Sequence, residues 1–211
     1  MRYLVKTPWW LKFMVPGAIW SMPKTGKKLY LSFDDGPHPD ITPWVLDLLR
    51  KYQAKATFFC VGNNVVQYPD VYNRIIQEGH VVGNHTFQHL NGWKTGDKAY
   101  MDDVAHAAEY IKSRLFRPPY GKIGMFQRFL LQKKKFEMRI VMWSVLSADF
   151  DTRISGKQCL EHVLLHAGDG DIVVFHDSEK ARERMEYALP AVLEYYHAKG
   201  FQFDVIHGDR P

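Results

Sequence analysis

The stretch Leu29-Tyr30-Leu31-Ser32-Phe33-Asp34-Asp35-Gly36-Pro37-His38-Pro39 decides how the rest of the chain is read. It is an apolar strand that stops at two adjacent carboxylates and a turn. Adjacent carboxylates repel and resist burial, so the pair makes sense where one is neutralised by a cation and the other by a base or an arginine. In α/β folds the C-terminal ends of parallel strands form the rim where ligands collect, and Gly36-Pro37 turns the chain there. The plainer alternative is a loop that ends a strand and caps the next helix.

Outward from Lys28, short β-branched or aromatic runs alternate with helical patterns, the signature of βα units. Residues 41–52 read as a helix with Ile41, Val45, Leu48 and Leu49 on one face, Pro43 in the first turn and Asp40 as N-cap. Residues 56–61 form a strand, 70–78 a helix ended by Gly79, and 80–84 a third strand. A helix follows at 100–115, and Phe116-Arg117 leads into a Pro-Pro turn. Then come a strand at 139–145, a helix at 156–167, a buried strand at 172–175, a helix at 184–199 and a strand at 201–206. Roughly seven strand-like runs alternate with helices, which favours a parallel barrel over an open sheet by a narrow margin.

The length suits one domain, residues 27–211, preceded by an extension, residues 1–26. A net charge of +5 with short, separated basic runs (Lys27-Lys28, Lys133-Lys134-Lys135) describes a solvated face and no nucleic-acid stripe. Cys60 and Cys159 are too few for a disulfide framework. The extension carries Trp9, Trp10 and Trp20, but Lys12 and Pro16 interrupt its apolar run and no small-residue cleavage site follows. It packs on the domain or lies at a membrane interface, where Trp and Lys are at home. Without a recognisable export signal, a cytoplasmic location or one peripheral at the membrane is favoured. The oligomeric state is not legible.

The reactive residues fall at strand ends. Asp34 and Asp35 follow the first strand, His85 and His89 the third, Arg117 the next; Asp149, then His176 with Asp177, follow later ones. Random polar residues would scatter over helix faces and both strand ends, so this coincidence points to one shared site. His85 and His89, four residues apart, face one ion if they share a helical turn. A carboxylate from Asp34-Asp35 makes a two-nitrogen, one-oxygen set, as in hydrolytic zinc sites. The other carboxylate is then free to act as a base, with Arg117 as its partner. His176, oriented by a carboxylate such as Asp149, suits protonation of a leaving group.

Together these residues resemble the polysaccharide deacetylase family, the carbohydrate esterases that share the NodB homology domain, over about residues 28–206. Ser32-Phe33-Asp34-Asp35-Gly36 resembles the family's Thr-Phe-Asp-Asp-Gly, which implies Asp34 as catalytic base and Asp35 as metal ligand. His85-Thr86-Phe87-Gln88-His89 matches its His-Ser/Thr-x-x-His, implying both histidines as ligands and Thr86 as a loop brace. Arg117-Pro118-Pro119-Tyr120-Gly121 is similar to Arg-x-Pro-Tyr, which implies that Arg117 steers Asp34 and that the Tyr120 backbone N–H helps bind the oxyanion. Asp149-Phe150 stands where the family has Asp-Trp, and Val174-Phe175-His176 where it has Leu-x-His. By resemblance, Asp149 orients His176, the general acid. Phe150 keeps an aromatic wall without the indole donor, and Val174 slightly enlarges the pocket for the acetyl methyl. Both departures bear on which glycan fits.

The fold implied is a distorted (β/α)7 barrel. The activity implied is metal-dependent removal of N-acetyl groups from N-acetylglucosamine in an oligo- or polysaccharide, with zinc as the expected ion and cobalt or nickel able to take the same ligands. Trp93, in the Asn91-Gly92-Trp93 loop, is a candidate for stacking on a sugar. The alternatives are an amidohydrolase of this fold acting on a small cyclic amide, a non-catalytic glycan-binding module, and an iron oxygenase with the same ligand types.

Overall fold

The first strand, β1 (Lys28–Asp34), runs through the middle of an all-parallel sheet in a computed structural model that describes residues 4–133 and 136–208. Arg2, Lys134, Lys135 and residues 209–211 therefore lie outside the described residues. From Leu29 onward β1 is buried, as parallel strands covered on both faces are. Its side chains alternate between two environments. Leu29, Leu31 and Phe33 pack outward in the main apolar cluster beneath the helices, while Tyr30 joins Phe59 and Ile172 in a second cluster inside the barrel.

After β1 the chain forms α1 (Ile41–Lys51), β2 (Ala56–Cys60), α2 (Gly62–Gln67), α3 (Pro69–Gln77), β3 (Val81–Asn84), α4 (Asp97–Tyr110) and β4 (Leu115–Phe116). It continues through α5 (Met125–Leu131), β5 (Arg139–Ile140), β6 (Val145–Leu146), α6 (Gly156–His166), β7 (Ile172–His176), α7 (Arg182–Ala198) and β8 (Gln202–Phe203). The order across the sheet is β5-β4-β3-β2-β1-β7-β6, with β8 paired to the start of β1. The fold is a distorted (β/α)7 barrel.

β5 and β6 are the two ends of that order, and the N-terminal segment covers both. Ile19 exchanges hydrogen bonds with Ile140 and Met142 at 2.8 Å each. Val5 accepts from the Leu146 N–H at 2.8 Å, and the Thr7 N–H donates to Ser144 at 2.9 Å. The ion pair Lys6–Asp171, at 2.7 Å, ties the same segment down. Exposed strand edges invite foreign pairing, and here the chain's own beginning occupies them.

Several expected boundaries are corrected. The helix expected at 100–115 is α4 and ends at Tyr110: Ile111 turns extended, and Leu115 is drawn into pairing with Arg139. The strand expected at 139–145 is two short strands, because the Val141 and Met142 carbonyls accept from the Arg117 guanidinium instead of a ladder partner. The expected strand 201–206 pairs only over Gln202–Phe203. Asp40 sits at the N-cap of α1 without a capping bond; His38 Nδ1 accepts from the Asp40 and Ile41 N–H groups, both at 3.3 Å. α2, α5 and a short helix at Trp9–Met14 had no counterpart in the sequence reading.

Candidate active site

Asp34 is the last residue of β1 and shares the inward face with Tyr30 and Ser32 by the two-residue period of a strand. Its register partners are Phe59 on β2 and His176 on β7. From the end of β4, Arg117 reaches across the barrel interior. Its Nη1 donates to Asp34 Oδ1 at 2.7 Å and to Ser32 Oγ at 2.8 Å. Nε and Nη2 donate to the Val141 and Met142 carbonyls, and the guanidinium lies 4.0 Å over the Phe59 ring. The Arg117 side chain is wholly buried; burial lowers its pKa and the Asp34 carboxylate opposes the shift. Removing one partner of such a pair typically costs about 3–5 kcal/mol, since a buried charge is left alone.

Asp35 leaves the strand at a φ of 82°. Asn64 Nδ2 holds its carbonyl at 2.8 Å. The next residue must be glycine for a steric reason: a Cβ on Gly36 would stand 2.0 Å from Asp177 Oδ2. Asp177 Oδ1 accepts the Gly36 N–H at 3.0 Å, and Oδ2 accepts the Thr42 hydroxyl at 2.5 Å. Burial pushes the Asp177 carboxyl up to about 7, against the pull of the Thr42 bond.

His85 and His89 do not share a helical turn. They lie on the loop after β3, where Thr86 and His89 have φ of 65° and 55°. Side chains give that loop its shape: Asn84 Oδ1 accepts the Thr86 N–H, Asp103 Oδ2 accepts those of Phe87 and Gln88, and Thr86 Oγ1 accepts that of Leu90. His85 Nδ1 lies 2.7 Å from the Arg117 carbonyl, which fixes it as the donor and leaves the Nε2 lone pair free, 3.8 Å from Asp35 Oδ1. His89 Nε2 is 3.1 Å from the same oxygen, and its Nδ1 is 3.1 Å from the Tyr120 hydroxyl.

The ligand atoms of Asp35, His85 and His89 all lie within 4.8 Å of one another, a spacing one divalent ion can bridge. Burial drops the His85 imidazole to about 4, so it is neutral near pH 7 as a ligand must be. Burial would raise the Asp35 carboxyl, but the His89 hydrogen bond and, next, the charge of His176 outweigh it and hold it below the usual range.

On the other side, His176 ends β7 on its inward face. Asp149, fully buried, accepts from the His176 Nδ1 and from its backbone N–H, both at 2.7 Å. Burial would lower the imidazole, yet Asp149, with Asp35 and Asp34 behind it, pushes it up to about 10. The Phe150 ring stands edge-on to the His176 ring at 5.2 Å. Val174, buried, packs with Leu146 and Ala148 below. Tyr120 has a φ of 60° and an exposed ring against His89. Trp93 is 62% exposed and its indole N–H donates to the Ile123 carbonyl at 3.1 Å, which tethers the ring at the surface.

One end of the sheet thus carries a triad that could hold an ion, Asp35, His85 and His89, between two buried charge pairs, Asp34–Arg117 and Asp149–His176. Such an arrangement can activate water, accept its proton and return a proton to a leaving group. Three supports had no role in the sequence reading. In sequence Asp177 is only a strand-end acid, and Asn64 carries no signal at all. Arg184, in the first turn of α7, donates from Nε to the Asp149 carbonyl at 2.6 Å, and an arginine opening an amphipathic helix looks like any surface residue in sequence.

The sequence pattern described as polysaccharide deacetylase matches residues 21–141. A peptidoglycan-N-acetylglucosamine deacetylase from Bacillus cereus is 34% identical over 190 residues, covering 87% of this chain and 88% of that protein. A chitooligosaccharide deacetylase from Azorhizobium caulinodans is 34% identical over 157 residues, covering 71% and 73%. Among solved structures, a peptidoglycan N-acetylglucosamine deacetylase in complex with a naphthalenyl-N-oxidanyl-benzamide superposes with a TM-score of 0.85 at 28% identity, over 97% of this chain and all of that one.

Proposed function

Because the chain belongs to the polysaccharide deacetylase family, we propose that it hydrolyses the N-acetyl groups of N-acetylglucosamine units in an oligo- or polysaccharide, releasing acetate and leaving a free amine. The observation that carries this reading is the pairing of two buried acid–base couples, Asp34–Arg117 and Asp149–His176, on in-register ends of β1 and β7 beside the Asp35, His85 and His89 cluster.

Asp35, His85 and His89 would hold a divalent ion, zinc by the preference of a two-imidazole, one-carboxylate set, and such an ion would supply Lewis-acid polarisation of the amide and activation of water. Asp34 is the base: Arg117 engages its Oδ1 at 2.7 Å, leaving the second carboxylate oxygen to take the proton of the attacking water. The Tyr120 backbone N–H meets the charge that develops on the carbonyl oxygen; loss of one such donor typically costs about 10²- to 10³-fold. His176, protonated and braced by Asp149, gives its proton to the departing nitrogen. Val174 and Phe150 line the side where the acetyl methyl and sugar sit, and Trp93 offers a stacking face further out. The cyclic-amide and pure glycan-binding readings have no feature of the site in their favour.

The test is release of acetate from a panel of N-acetylchitooligosaccharides and peptidoglycan, before and after chelation and zinc return. Acetate release that vanishes with the chelator and returns with zinc is expected. A folded protein with full ion occupancy that releases none from any glycan would refute the reading.

A further inference from the structure

Charge is distributed along this chain in blocks. Residues 1–33 and 110–136 contain fourteen of the twenty-eight Lys and Arg and none of the twenty-three Asp and Glu. Those two segments also carry the exposed aromatic surface. On the short helix Trp9–Met14, Trp9 and Phe13 are 73% and 71% exposed, and their rings meet edge to face at 5.9 Å. On α5, Met125, Phe126 and Phe129 are exposed, with the two phenyl rings stacked at 6.4 Å.

The two helices are anchored from beneath in the same apolar cluster, Leu11 from the first with Val15 just after its end, and Leu130 and Leu131 from the second. Their outer residues therefore belong to one region of the surface. Cations are interspersed: Lys12 on the first helix, Arg128 on α5, and Lys133, whose ammonium lies 4.1 Å over the Phe129 ring. Lys134 and Lys135 follow directly in sequence. Arg117 is excluded, being internal, and Lys6, Lys28 and Arg114 have acidic partners elsewhere.

Large aromatics and methionine rimmed by Lys and Arg, on short helices held flat against a domain, have the composition of segments that insert into the headgroup layer of a bilayer. Among the described residues no helix is long and apolar enough to cross a membrane, so contact would be with the surface only. A second copy is the poorer occupant, because a self-complementary contact would set these cations against their own equivalents. We propose that the face formed by the Trp9–Met14 helix and α5 docks on an anionic phospholipid bilayer, with the aromatic rings entering the interface and Lys12, Arg128 and Lys133 facing the lipid phosphates.

The experiment is co-sedimentation of the full chain with phosphatidylcholine vesicles, with and without one-third phosphatidylglycerol, at two salt concentrations, following tryptophan emission. Binding at least tenfold tighter to the anionic vesicles, weakened by salt and accompanied by a blue shift, is expected. Trp9→Ser with Phe13→Ser, and separately Phe126→Ser with Phe129→Ser, should lose tenfold or more. Lys12→Gln and Lys133→Gln should each lose about fivefold. Thermal midpoints near that of the parent verify that each variant is folded. Equal affinity for neutral and anionic vesicles would overturn the proposal. So would unchanged binding by folded variants of both helices, or a solution dimer that the aromatic substitutions dissolve.

Discussion

Asp34 completes the inward face of β1, while Asp35 leaves the strand at a φ of 82°, so two neighbouring carboxylates point to different partners: Arg117 at 2.7 Å for one, His89 at 3.1 Å for the other. This division allows the two acids to be tested apart. Asp34→Asn should keep its ion content, measured by elemental analysis, and lose about 10²- to 10⁴-fold in turnover, because the amide cannot take a proton from water. Ion loss together with activity would mean that the two roles are exchanged. His176 is tested through its support. A general acid works protonated, so turnover falls as pH rises through its pKa, and Asp149 is the main group holding that value up to about 10 against burial. Asp149→Asn should move the alkaline limb of the kcat/KM profile towards neutral pH, and should harm an amide substrate more than an aryl acetate, whose leaving group needs less protonation. An unmoved limb would remove His176 from the role of acid. At this scale the sequence was legible for the residues gathered at the candidate site. Asp34, Asp35, His85, His89, Arg117, Asp149 and His176 converge in space, but the supports Asn64 and Arg184 act through single hydrogen bonds from a helix, a pattern that any surface residue shares.

The elements that carry the site are mostly loop. The two histidines were expected on a helical turn and instead occupy a loop with two left-handed residues, stabilised by Asn84 and Asp103 accepting its N–H groups. Four-residue spacing could not reveal this, because a loop with side-chain acceptors can bring i and i+4 together as a helix does. The long parallel strands were legible from their apolar runs. β4, β5 and β6 span two residues each and are defined by pairing and by Arg117 claiming carbonyls between them, neither of which leaves a periodic mark. The turn after β1 is the most constrained of these pieces. A methyl group on Gly36 would meet the Asp177 carboxylate, which itself braces Thr42 at the start of α1. Gly36→Ala should therefore lower stability by about 1–3 kcal/mol in urea unfolding, as overpacking does. It should also displace Asp35 and weaken ion binding. Pairing it with Asp177→Gly, which opens the space, should recover part of the lost affinity; no recovery would place the strain elsewhere.

At the scale of the whole molecule, the strand order runs from β5 to β6 without those two strands pairing, and the N-terminal segment fills the gap. This placement was only half legible. The Trp-rich extension was open to either packing or a membrane interface in sequence, and the structure puts Ile19 and Thr7 into the seam while leaving Trp9 and Phe13 outside. Removal of residues 1–21 would expose the free edges of β5 and β6, take away the buried Trp20, uncover Val141 in the barrel wall, and release Asp171 from Lys6. Four backbone hydrogen bonds at about 0.5–1.5 kcal/mol each put the loss on the order of 2–6 kcal/mol before any apolar burial is counted. The shortened protein should show a clearly lower denaturation midpoint and a tendency to associate through the uncovered strand edges. Because Val141 and Met142 also carry the carbonyls that hold Arg117, loosening the seam should lower kcat as well as stability, although residues 1–21 contain none of the proposed catalytic groups. A truncated chain with the parent's midpoint and turnover would show that the barrel holds its site without this closure. A lower midpoint with unchanged kcat at permissive temperature would separate the seam's role in folding from any role in placing Arg117.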